Sequence, residues 1–278
     1  MTKVFRFAPS PNGRLHLGHA FSALLNARLA RESGGRFLLR IEDIDIGRAR
    51  LEFEQAIYED LAWLDLDWER PVRRQSEHFD DYARALQRLD AMGLLYACDC
   101  RRSDIAGVAR MQADWPRDPD GSPHYPGTCR SKPNRRVEEI LATGGVALRL
   151  DMRKAVERAG RDLTWREGES TIEADPSRWG DVILARRDTP ASYHLAVVVD
   201  DAIQGVTDVV RGQDLFPATS VHRLLQRLLD LPEPRYRHHD LLRDATGEKL
   251  AKSRESETLG DLREAGVCAE EVRGPLGF

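Results

Sequence analysis

The beginning of the chain reads as one strand–turn–helix–strand unit, and this unit restricts the fold more than any other feature. Alternating apolar side chains predict a short strand over 3–8, and the proline-rich turn over 9–13 can continue neither a strand nor a helix. Apolar residues at helical spacing then predict a helix over 17–31, followed by a buried strand over 37–41. This order predicts a βαβ unit and therefore a parallel sheet.

The remaining pattern extends this α/β architecture. Amphipathic spacing predicts further helices over 49–64, 79–92, 218–229 and 259–266. Strands are predicted over 146–150, 181–186 and 194–199. We expect the second set of strands to complete a doubly wound parallel sheet of the Rossmann type.

Composition excludes several classes of protein. The 278 residues are 41% hydrophobic and 32% charged, which is typical of a folded chain. The longest aliphatic run, over 195–199, is far shorter than the ~20 residues of a membrane-spanning helix. Pro9 and Pro11 interrupt any signal-peptide core, so we expect a cytoplasmic protein. The net charge of −4 argues against a tail-driven nucleic-acid binder but leaves a local basic face open.

Three of the four cysteines are concentrated in one stretch of the chain. Cys98, Cys100 and Cys129 lie in a segment that is rich in proline and poor in aliphatic residues, whereas Cys268 is near the end. In a cytosolic chain such a cluster favours a metal site over disulfides. The segment over 98–135 is therefore predicted to be an irregular insertion that a metal holds together.

Two short motifs have the chemistry of phosphate binding. His16-Leu17-Gly18-His19 stands where the first turn becomes a helix, and a helix N-terminus offers free N–H donors and a positive dipole end. Histidines three residues apart lie on one helical face, and Gly18 would let a flat base approach the backbone. Far downstream, Lys249 and Lys252 could hold a triphosphate from the opposite side.

With these motifs the chain resembles class I aminoacyl-tRNA synthetases. Further blocks narrow the resemblance to the glutamyl and glutaminyl branch. They are Ala8-Pro9-Ser10-Pro11-Asn12-Gly13, Arg40-Ile41-Glu42-Asp43-Ile44-Asp45 with Arg48, Ser192–Asp201, Arg211-Gly212-Gln213-Asp214-Leu215, Tyr236 with His238-His239 and Leu241-Leu242, and Lys249-Leu250-Ala251-Lys252-Ser253. The blocks extend over nearly the whole chain, so the resemblance implies a Rossmann-type catalytic core with an inserted zinc-binding subdomain and a short helical C-terminal part.

Length narrows the resemblance further. Only 25 residues follow Ser253, too few for the anticodon-binding domain of a full glutamyl-tRNA synthetase. The chain is therefore most similar to the glutamyl-Q tRNA(Asp) synthetase family, the stand-alone catalytic-domain paralogues. That resemblance implies activation of L-glutamate with ATP and Mg²⁺, and transfer of the glutamyl group to queuosine in the anticodon loop of tRNA(Asp). We expect a monomer with no membrane association.

The resemblance also implies the residues of the site. ATP is expected to contact His16, Gly18, His19, Lys249 and Lys252. Glutamate is expected to contact Arg6, Phe7, Ala8, Pro9, Ser10, Glu42, Tyr193 and Arg211. The two arginines and Tyr193 would bind mainly the side-chain carboxylate, and Glu42 the α-ammonium. One departure from the family pattern is Ala251, which replaces the serine usual in the lysine motif.

The resemblance implies zinc for the cysteine cluster. Three thiolates are one ligand short of a tetrahedral site, and the family pattern takes the fourth from a tyrosine, matched here by Tyr125. The neighbouring His124 is the more ordinary zinc ligand. We place Tyr125 ahead of His124, with Cys98, Cys100 and Cys129 as the other ligands. Three free buried cysteines are the alternative.

The resemblance divides the chain into four parts. These are the first half of the core over 1–95, the zinc-binding insertion over 96–135, an acceptor-type insertion with the second half of the core over 136–230, and the lysine-motif loop with a C-terminal helical segment over 231–278. Two other functions remain open, a compact glutamyl-tRNA synthetase that charges tRNA(Glu) and a small-molecule nucleotidyltransferase of the same superfamily.

Overall fold

The structure is a computed structural model that describes residues 2–132, 135–160, 162–242 and 257–278. Its strands are β1 (Val4–Phe7), β2 (Arg36–Ile41), β3 (Glu69–Arg74), β4 (Leu95–Cys98), β5 (Ala147–Leu150), β6 (Thr164–Glu167), β7 (Ser170–Glu173), β8 (Ile183–Ala185), β9 (Asp208–Gly212) and β10 (Arg235–His239). Its α-helices are α1 (Leu17–Glu32), α2 (Leu51–Trp63), α3 (Phe79–Ala91), α4 (Arg102–Arg110), α5 (Val137–Thr143), α6 (Met152–Ala159), α7 (Tyr193–Ile203), α8 (Thr219–Leu228), α9 (Leu259–Glu264) and α10 (Ala269–Arg273).

The chain forms two compact units. The first comprises Met1–Glu77, Gly205–Phe216 and Pro234–Phe278, and the second comprises His78–Gln204 and Pro217–Glu233. None of the helices in the described part of the chain combines the length and the hydropathy that a transmembrane span requires.

The first unit contains the predicted βαβ unit and its parallel strands. β1 pairs with β2 and β2 with β3, both in parallel, and β9 pairs in parallel with β10. β1 lies beside β9, because the N–H of Thr207 donates to the carbonyl of Val4 at 3.0 Å. The parallel strands therefore lie side by side in the order β3, β2, β1, β9, β10. The direction in which successive strands are added reverses between β1 and β9. In open α/β sheets this reversal marks the position of ligand sites, at the carboxyl ends of the strands.

The core of the first unit lies between these strands and the helices that cover them. It is built from Phe5 and Phe7 of β1, the apolar residues of β2, and the buried faces of α1 and α2. Asn26 of α1 is fully buried and ties this helix to β9, because its Nδ2 donates to the carbonyl of Val210 at 3.1 Å and to that of Ser22 at 2.8 Å. The helix that begins at the histidine motif is thus fixed to the strand that carries Arg211.

The second unit is antiparallel where it contains a sheet. β4 and β8 both pair antiparallel with β5, and β6 forms a hairpin with β7. α3 and α7 pack together, and the buried hydroxyl of Tyr82 donates to both carboxylate oxygens of Asp200, at 3.1 and 2.9 Å. The predicted strands over 146–150 and 181–186 are confirmed as β5 and β8. The expectation that they continue the parallel sheet is wrong, since β9 and β10 hold the further parallel pair.

The predicted strand over 194–199 is also wrong, because these residues belong to helix α7. Every residue over 195–201 is buried, so the aliphatic run needs no alternation between a buried and an exposed face. A short, wholly apolar run is compatible with a buried strand and with a buried helix, and periodicity alone cannot separate them. Within the segment over 98–135, helix α4 was not predicted. None of its residues is buried, so an apolar stripe was missing from the sequence.

We expect Asn26→Ala to lower the free energy of unfolding by about 1–3 kcal/mol, because the carbonyl of Val210 would lose its buried donor. Chemical denaturation followed by circular dichroism measures this change. Gln55→Ala is the matched control, since its amide lies exposed on α2 and bonds to Glu59. Equal losses from the two variants would contradict the structural role of Asn26.

Candidate active site and metal centre

The histidine motif forms the amino-terminal cap of α1. His16 is the N-cap residue, and its Nδ1 accepts a hydrogen bond from the N–H of Gly18 at 3.1 Å. In return, Nδ1 of His19 accepts from the N–H of His16 at 3.2 Å. The two rings lie close together, with centroids 3.9 Å apart. The spacing of the two histidines thus gives a reciprocal capping box in which imidazoles replace the usual hydroxyl and carboxylate.

These hydrogen bonds define the protonation of both rings. A backbone N–H can only donate, so each Nδ1 is unprotonated and each neutral ring carries its proton on Nε2. Both histidines therefore offer an N–H donor. The first turn of α1 contains no acidic residue, so no side-chain carboxylate of that turn opposes the positive end of the helix dipole. The arrangement suits an anionic group such as phosphate.

The structure gives a reason for glycine at position 18 that the sequence did not reveal. A Cβ at this position would lie 2.9 Å from Cε1 of His16 and 3.1 Å from its Nδ1. The first distance is shorter than any ordinary contact, so a side chain would displace the imidazole from its capping position. The capping position of the His16 ring therefore favours glycine at position 18.

The turn after β1 lies against the carboxyl end of β2. The N–H of Glu42 donates to the carbonyl of Pro9 at 3.0 Å, and that of Arg50 donates to the carbonyl of Pro11 at 2.9 Å. These bonds bring the backbone of the 8–11 turn beside Glu42. The Glu42 side chain is only 9% exposed and pairs with the fully buried Arg40, whose guanidinium is 3.2 Å away. This pair holds a carboxylate at the strand end.

The two arginines predicted to bind carboxylates lie on the adjacent strands β1 and β9. Arg6 and Arg211 are buried, at 4% and 5% exposure. Arg211 donates from Nε to Nε2 of His238 at 3.1 Å and from its terminal nitrogen to the carbonyl of Leu215 at 3.1 Å. Its guanidinium carbon is 5.5 Å from the ring centroid of Tyr236. These contacts restrict the orientation of the guanidinium at the end of β9.

The lysine motif, with Lys249, Ala251 and Lys252, lies outside the residues that the structure describes. The chain on its C-terminal side is fixed to the histidine motif. Thr258 forms an isolated antiparallel bridge with His16, and the N–H of Leu259 donates to the carbonyl of Leu15 at 2.9 Å.

Thr258 also caps α9, and the sequence analysis missed it. Its hydroxyl accepts from the N–H of Asp261 at 3.2 Å, and the Asp261 carboxylate accepts from the N–H of Thr258 at 2.9 Å. The Thr258 hydroxyl also donates to the Asp261 carboxylate at 2.7 Å. This hydrogen bond, together with the one from the N–H of Thr258, lowers the pKa of Asp261. A threonine three residues before an acidic residue is a helix-start pattern that could have been found in the sequence.

Tyr193 belongs to the second unit and is half-buried at the first position of α7. Its ring centroid is 5.5 Å from that of His222 and 5.8 Å from that of His194. The two histidines are joined through Nδ1 of His194 and Nε2 of His222, 3.2 Å apart. Tyr193 therefore stands in an aromatic cluster of its own unit, whereas Arg6, Glu42 and Arg211 belong to the first unit.

The cysteine cluster is assembled in the second unit. The sulfur atoms of Cys98, Cys100 and Cys129 all lie within 4.8 Å of one another, and those of Cys100 and Cys129 are 3.6 Å apart. Tetrahedral zinc with bonds of about 2.3 Å to sulfur places its sulfur ligands about 3.8 Å from one another. The three thiols therefore fit a single zinc ion.

The hydroxyl of Tyr125 completes the cluster. It lies 3.4 Å from Sγ of Cys100 and accepts from the N–H of Cys129 at 2.9 Å. The Nε2 atom of the neighbouring His124 lies 2.8 Å from the carbonyl oxygen of Arg178. The His124 ring packs against Gly180, where a Cβ would lie only 3.0 Å from Cγ of the imidazole. Of the two candidates for a fourth ligand, the structure brings Tyr125 to the thiols and directs His124 elsewhere.

The surroundings of the cluster affect the ionisation of its members. Burial by itself raises the pKa of the Cys98 thiol, but hydrogen bonds with Tyr125 and Arg149 outweigh it and lower that pKa. Burial raises the pKa of Cys100, and burial with the neighbouring thiols raises the pKa of Tyr125 above its usual range. The phenol is therefore protonated in the metal-free protein. Arg149, which the sequence did not single out, lies with its guanidinium carbon 4.1 Å from the ring centroid of Tyr125.

Known proteins with similar sequences are class I tRNA synthetases. Residues 3–272 match the family model described as tRNA synthetases class I (E and Q), catalytic domain. A glutamyl-Q tRNA(Asp) synthetase of Rhodobacter capsulatus is 47% identical over 99% of this chain and 100% of its own length. The chain belongs to the class I (E and Q) tRNA synthetase family. A glutamyl-Q tRNA(Asp) synthetase of Nitratidesulfovibrio vulgaris is 40% identical over 98% of the chain and 85% of its own length.

A solved glutamate-tRNA synthetase structure from Elizabethkingia anophelis shares the fold of this family member. It superposes with a TM-score of 0.74 and 24% identity, over 96% of this chain and 54% of that one. The predicted fold class, an α/β class I synthetase core with a parallel sheet, is confirmed. Membership of the class implies the use of ATP.

We expect Gly18→Ala to slow amino-acid-dependent exchange of pyrophosphate into ATP about tenfold or more, because the new methyl group would displace His16 from the cap. Gly47→Ala is the control, since a Cβ there would meet Asp45 at an ordinary 3.6 Å. Exchange within twofold of the wild type for Gly18→Ala would contradict the argument.

For the metal centre, we expect purified protein to contain about one zinc per chain. Tyr125→Phe should bind zinc more weakly because it loses an oxygen ligand, whereas His124→Ala should retain it. Elemental analysis and chelator competition measure both variants. A zinc content well below one per chain in the wild type, or a loss confined to His124→Ala, would exclude this ligand set.

Proposed function

We propose that the protein activates L-glutamate with ATP and transfers the glutamyl group to queuosine in the anticodon loop of tRNA(Asp). The observation that carries this proposal is the proximity, at one edge of the first unit, of an anion-binding helix start and polar groups suited to glutamate. Identities of 47% and 40% over nearly the whole chain to two relatives named glutamyl-Q tRNA(Asp) synthetase support the choice of acceptor.

Recognition of glutamate requires partners for two carboxylates and one ammonium group. We assign the side-chain carboxylate to Arg6 and Arg211, together with Tyr193, because a guanidinium can bind a carboxylate through two parallel hydrogen bonds. The Glu42 carboxylate would accept from the α-ammonium. Backbone and side-chain groups of the preceding turn complete this set, namely Phe7, Ala8, Pro9 and Ser10.

In the first step, an oxygen of the α-carboxylate attacks the α-phosphorus of ATP, which enters as its Mg²⁺ complex. The bond from that phosphorus to the bridging oxygen breaks, and pyrophosphate leaves with the bonding electrons. Negative charge accumulates on phosphate oxygens, so catalysis depends on position and electrostatics. The Nε2–H groups of His16 and His19 would donate to the α- and β-phosphates, and Lys249 and Lys252 would bind the leaving pyrophosphate.

In the second step, a hydroxyl of the cyclopentene ring of queuosine attacks the carbonyl carbon of glutamyl-adenylate. An ester bond forms, AMP leaves, and the hydroxyl proton passes to the released phosphate or to solvent. No enzyme nucleophile is needed, because the mixed anhydride is already activated. The two steps balance without an oxidant or a reductant.

Zinc has a structural part in this proposal. Cys98, Cys100, Cys129 and Tyr125 would hold the ion, and its bonds would fix a segment with little apolar core of its own. We also propose that the protein works as a monomer in the cytoplasm, where its substrates ATP and tRNA are found.

The test is transfer of labelled glutamate, with ATP, onto tRNA from cells that contain or lack queuosine. Each tRNA is used intact and after removal of its terminal adenosine, because conventional charging needs that adenosine and base modification does not. We expect label on queuosine-containing tRNA only, whether or not the adenosine is present.

Other outcomes identify the alternatives. Label on both tRNA preparations that disappears with the terminal adenosine would indicate charging of tRNA(Glu). Absence of label, with glutamate-dependent pyrophosphate exchange intact, would show that the acceptor is wrong and the activation chemistry right. Absence of both reactions would overturn the proposal and favour a nucleotidyltransferase with another substrate.

A further inference from the structure

Arg149 of β5 is a buried cation without a buried carboxylate partner. The residue is only 7% exposed, and its Nε has no hydrogen-bond partner. One terminal nitrogen donates to the backbone carbonyl of Asp181 at 2.8 Å. Within the described ranges, no carboxylate forms an ion pair with this guanidinium. A buried charge is costly unless an opposite charge compensates it.

The side chain of Arg149 lies against the cysteine cluster. In the antiparallel register, Arg149 is opposite Tyr96, and Ala147 is opposite Cys98. Because alternate residues of a strand share a face, Arg149 is on the same face of the sheet as Cys98. Its guanidinium carbon is 4.1 Å from the ring centroid of Tyr125. The buried cation therefore contacts one candidate zinc ligand and stands on the same face as another.

Other charges near the cluster already have opposite partners. Lys132 pairs with Asp99 at 2.8 Å, and both side chains are about half exposed. Arg130 pairs with the carboxylate of Asp181 at 2.6 Å. These pairs are close to neutral as units. Three thiolates around Zn²⁺ give a net charge of −1, and a phenolate ligand would make it −2, so the loaded cluster is the anion that Arg149 lacks.

We propose that Arg149 is a positioning residue for the metal centre, whose buried charge compensates the anionic zinc–thiolate cluster and holds Tyr125 beside it. The inference rests on the proposed zinc site. Packing of the guanidinium on the Tyr125 ring keeps the phenol oxygen at the thiols, while the positive charge favours an anionic oxygen ligand. Groups outside the ligand set commonly adjust metal affinity in this way.

Charge compensation and simple packing predict different effects of losing Arg149. If the side chain only packs on Tyr125, its loss should destabilise the protein to the same extent with and without zinc. If its charge compensates the cluster, loss should weaken the zinc-bound form specifically. In the metal-free form, replacement of an unpaired buried cation by an apolar side chain of similar length should be neutral or stabilising.

The experiment compares the full-length wild type with Arg149→Met, Arg149→Lys and Lys154→Met. The last variant is the matched control, because it removes a half-exposed cation of the same unit that pairs with Asp151 at 3.8 Å. Zinc dissociation constants are measured by competition with a chromophoric chelator, and Tm is measured with zinc and after treatment with a chelator. Neither readout depends on enzyme activity.

We expect Arg149→Met to weaken zinc binding by about 10–100-fold and Lys154→Met by less than about twofold. Arg149→Lys should fall between, because it keeps the charge and loses the planar contact with the ring. The rise in Tm on addition of zinc should shrink for Arg149→Met, with no fall in Tm of the metal-free form. Combined with Tyr125→Phe, the loss of affinity should be less than the product of the two single effects.

Zinc affinity of Arg149→Met within twofold of the wild type, or equal losses of Tm with and without zinc, would overturn the role of Arg149. A wild-type protein that binds no zinc would instead overturn the metal site itself, and the inference with it. If Arg149→Met does not fold, Arg149→Lys decides. A fall in its zinc affinity no larger than that of Lys154→Met then overturns the proposed role, because the planar contact with Tyr125 would contribute nothing to zinc binding.

Discussion

The parallel pairing of β1 with β2 is the constraint on which the rest of the site depends. Two parallel strands joined by one helix must place both carboxyl ends and the start of that helix at the same edge of the sheet. This brings the 8–11 turn beside Glu42 and begins α1 with His16 at the same edge. The neighbouring strand β9 adds Arg211. The predicted site residues of the first unit are thus brought together at the edge where the parallel strands end.

Buried arginines lie at both the candidate active site and the cysteine cluster. Arg40 pairs with Glu42, Arg211 is oriented by His238 and the carbonyl of Leu215, and Arg149 lies on Tyr125. A buried guanidinium is retained where an anion compensates it, and its planar shape sets the direction of that anion. For Arg40 the anion is Glu42, for Arg211 the proposed anion is a substrate carboxylate, and for Arg149 it is the proposed metal cluster.

The segment that carries the cysteine cluster has much less apolar packing than the first unit. Its apolar cluster comprises little more than Tyr96, Cys98, Tyr125 and Cys129, with Cys100 and Ile105 packed against it. Helix α4 buries none of its residues. A segment with so small a core needs another source of order, and a metal bound by side chains distant in sequence supplies it by closing a loop. In the proposed zinc site, the metal and its compensating cation would supply the order that apolar packing gives to the first unit.

The sequence by itself determined the βαβ unit, the helix start at His16 and the cysteine cluster, because these depend on local pattern, turn residues and residue type. Tertiary structure alone decided that 194–199 is helical, since a wholly buried aliphatic run fits either conformation until its neighbours are known. It also placed the Tyr125 hydroxyl at the thiols and the His124 ring beside Arg178 and Gly180, positions that depend on packing between residues distant in sequence. Arg149 had no signal in the sequence, for its unpaired charge exists only once the strands around it are assembled.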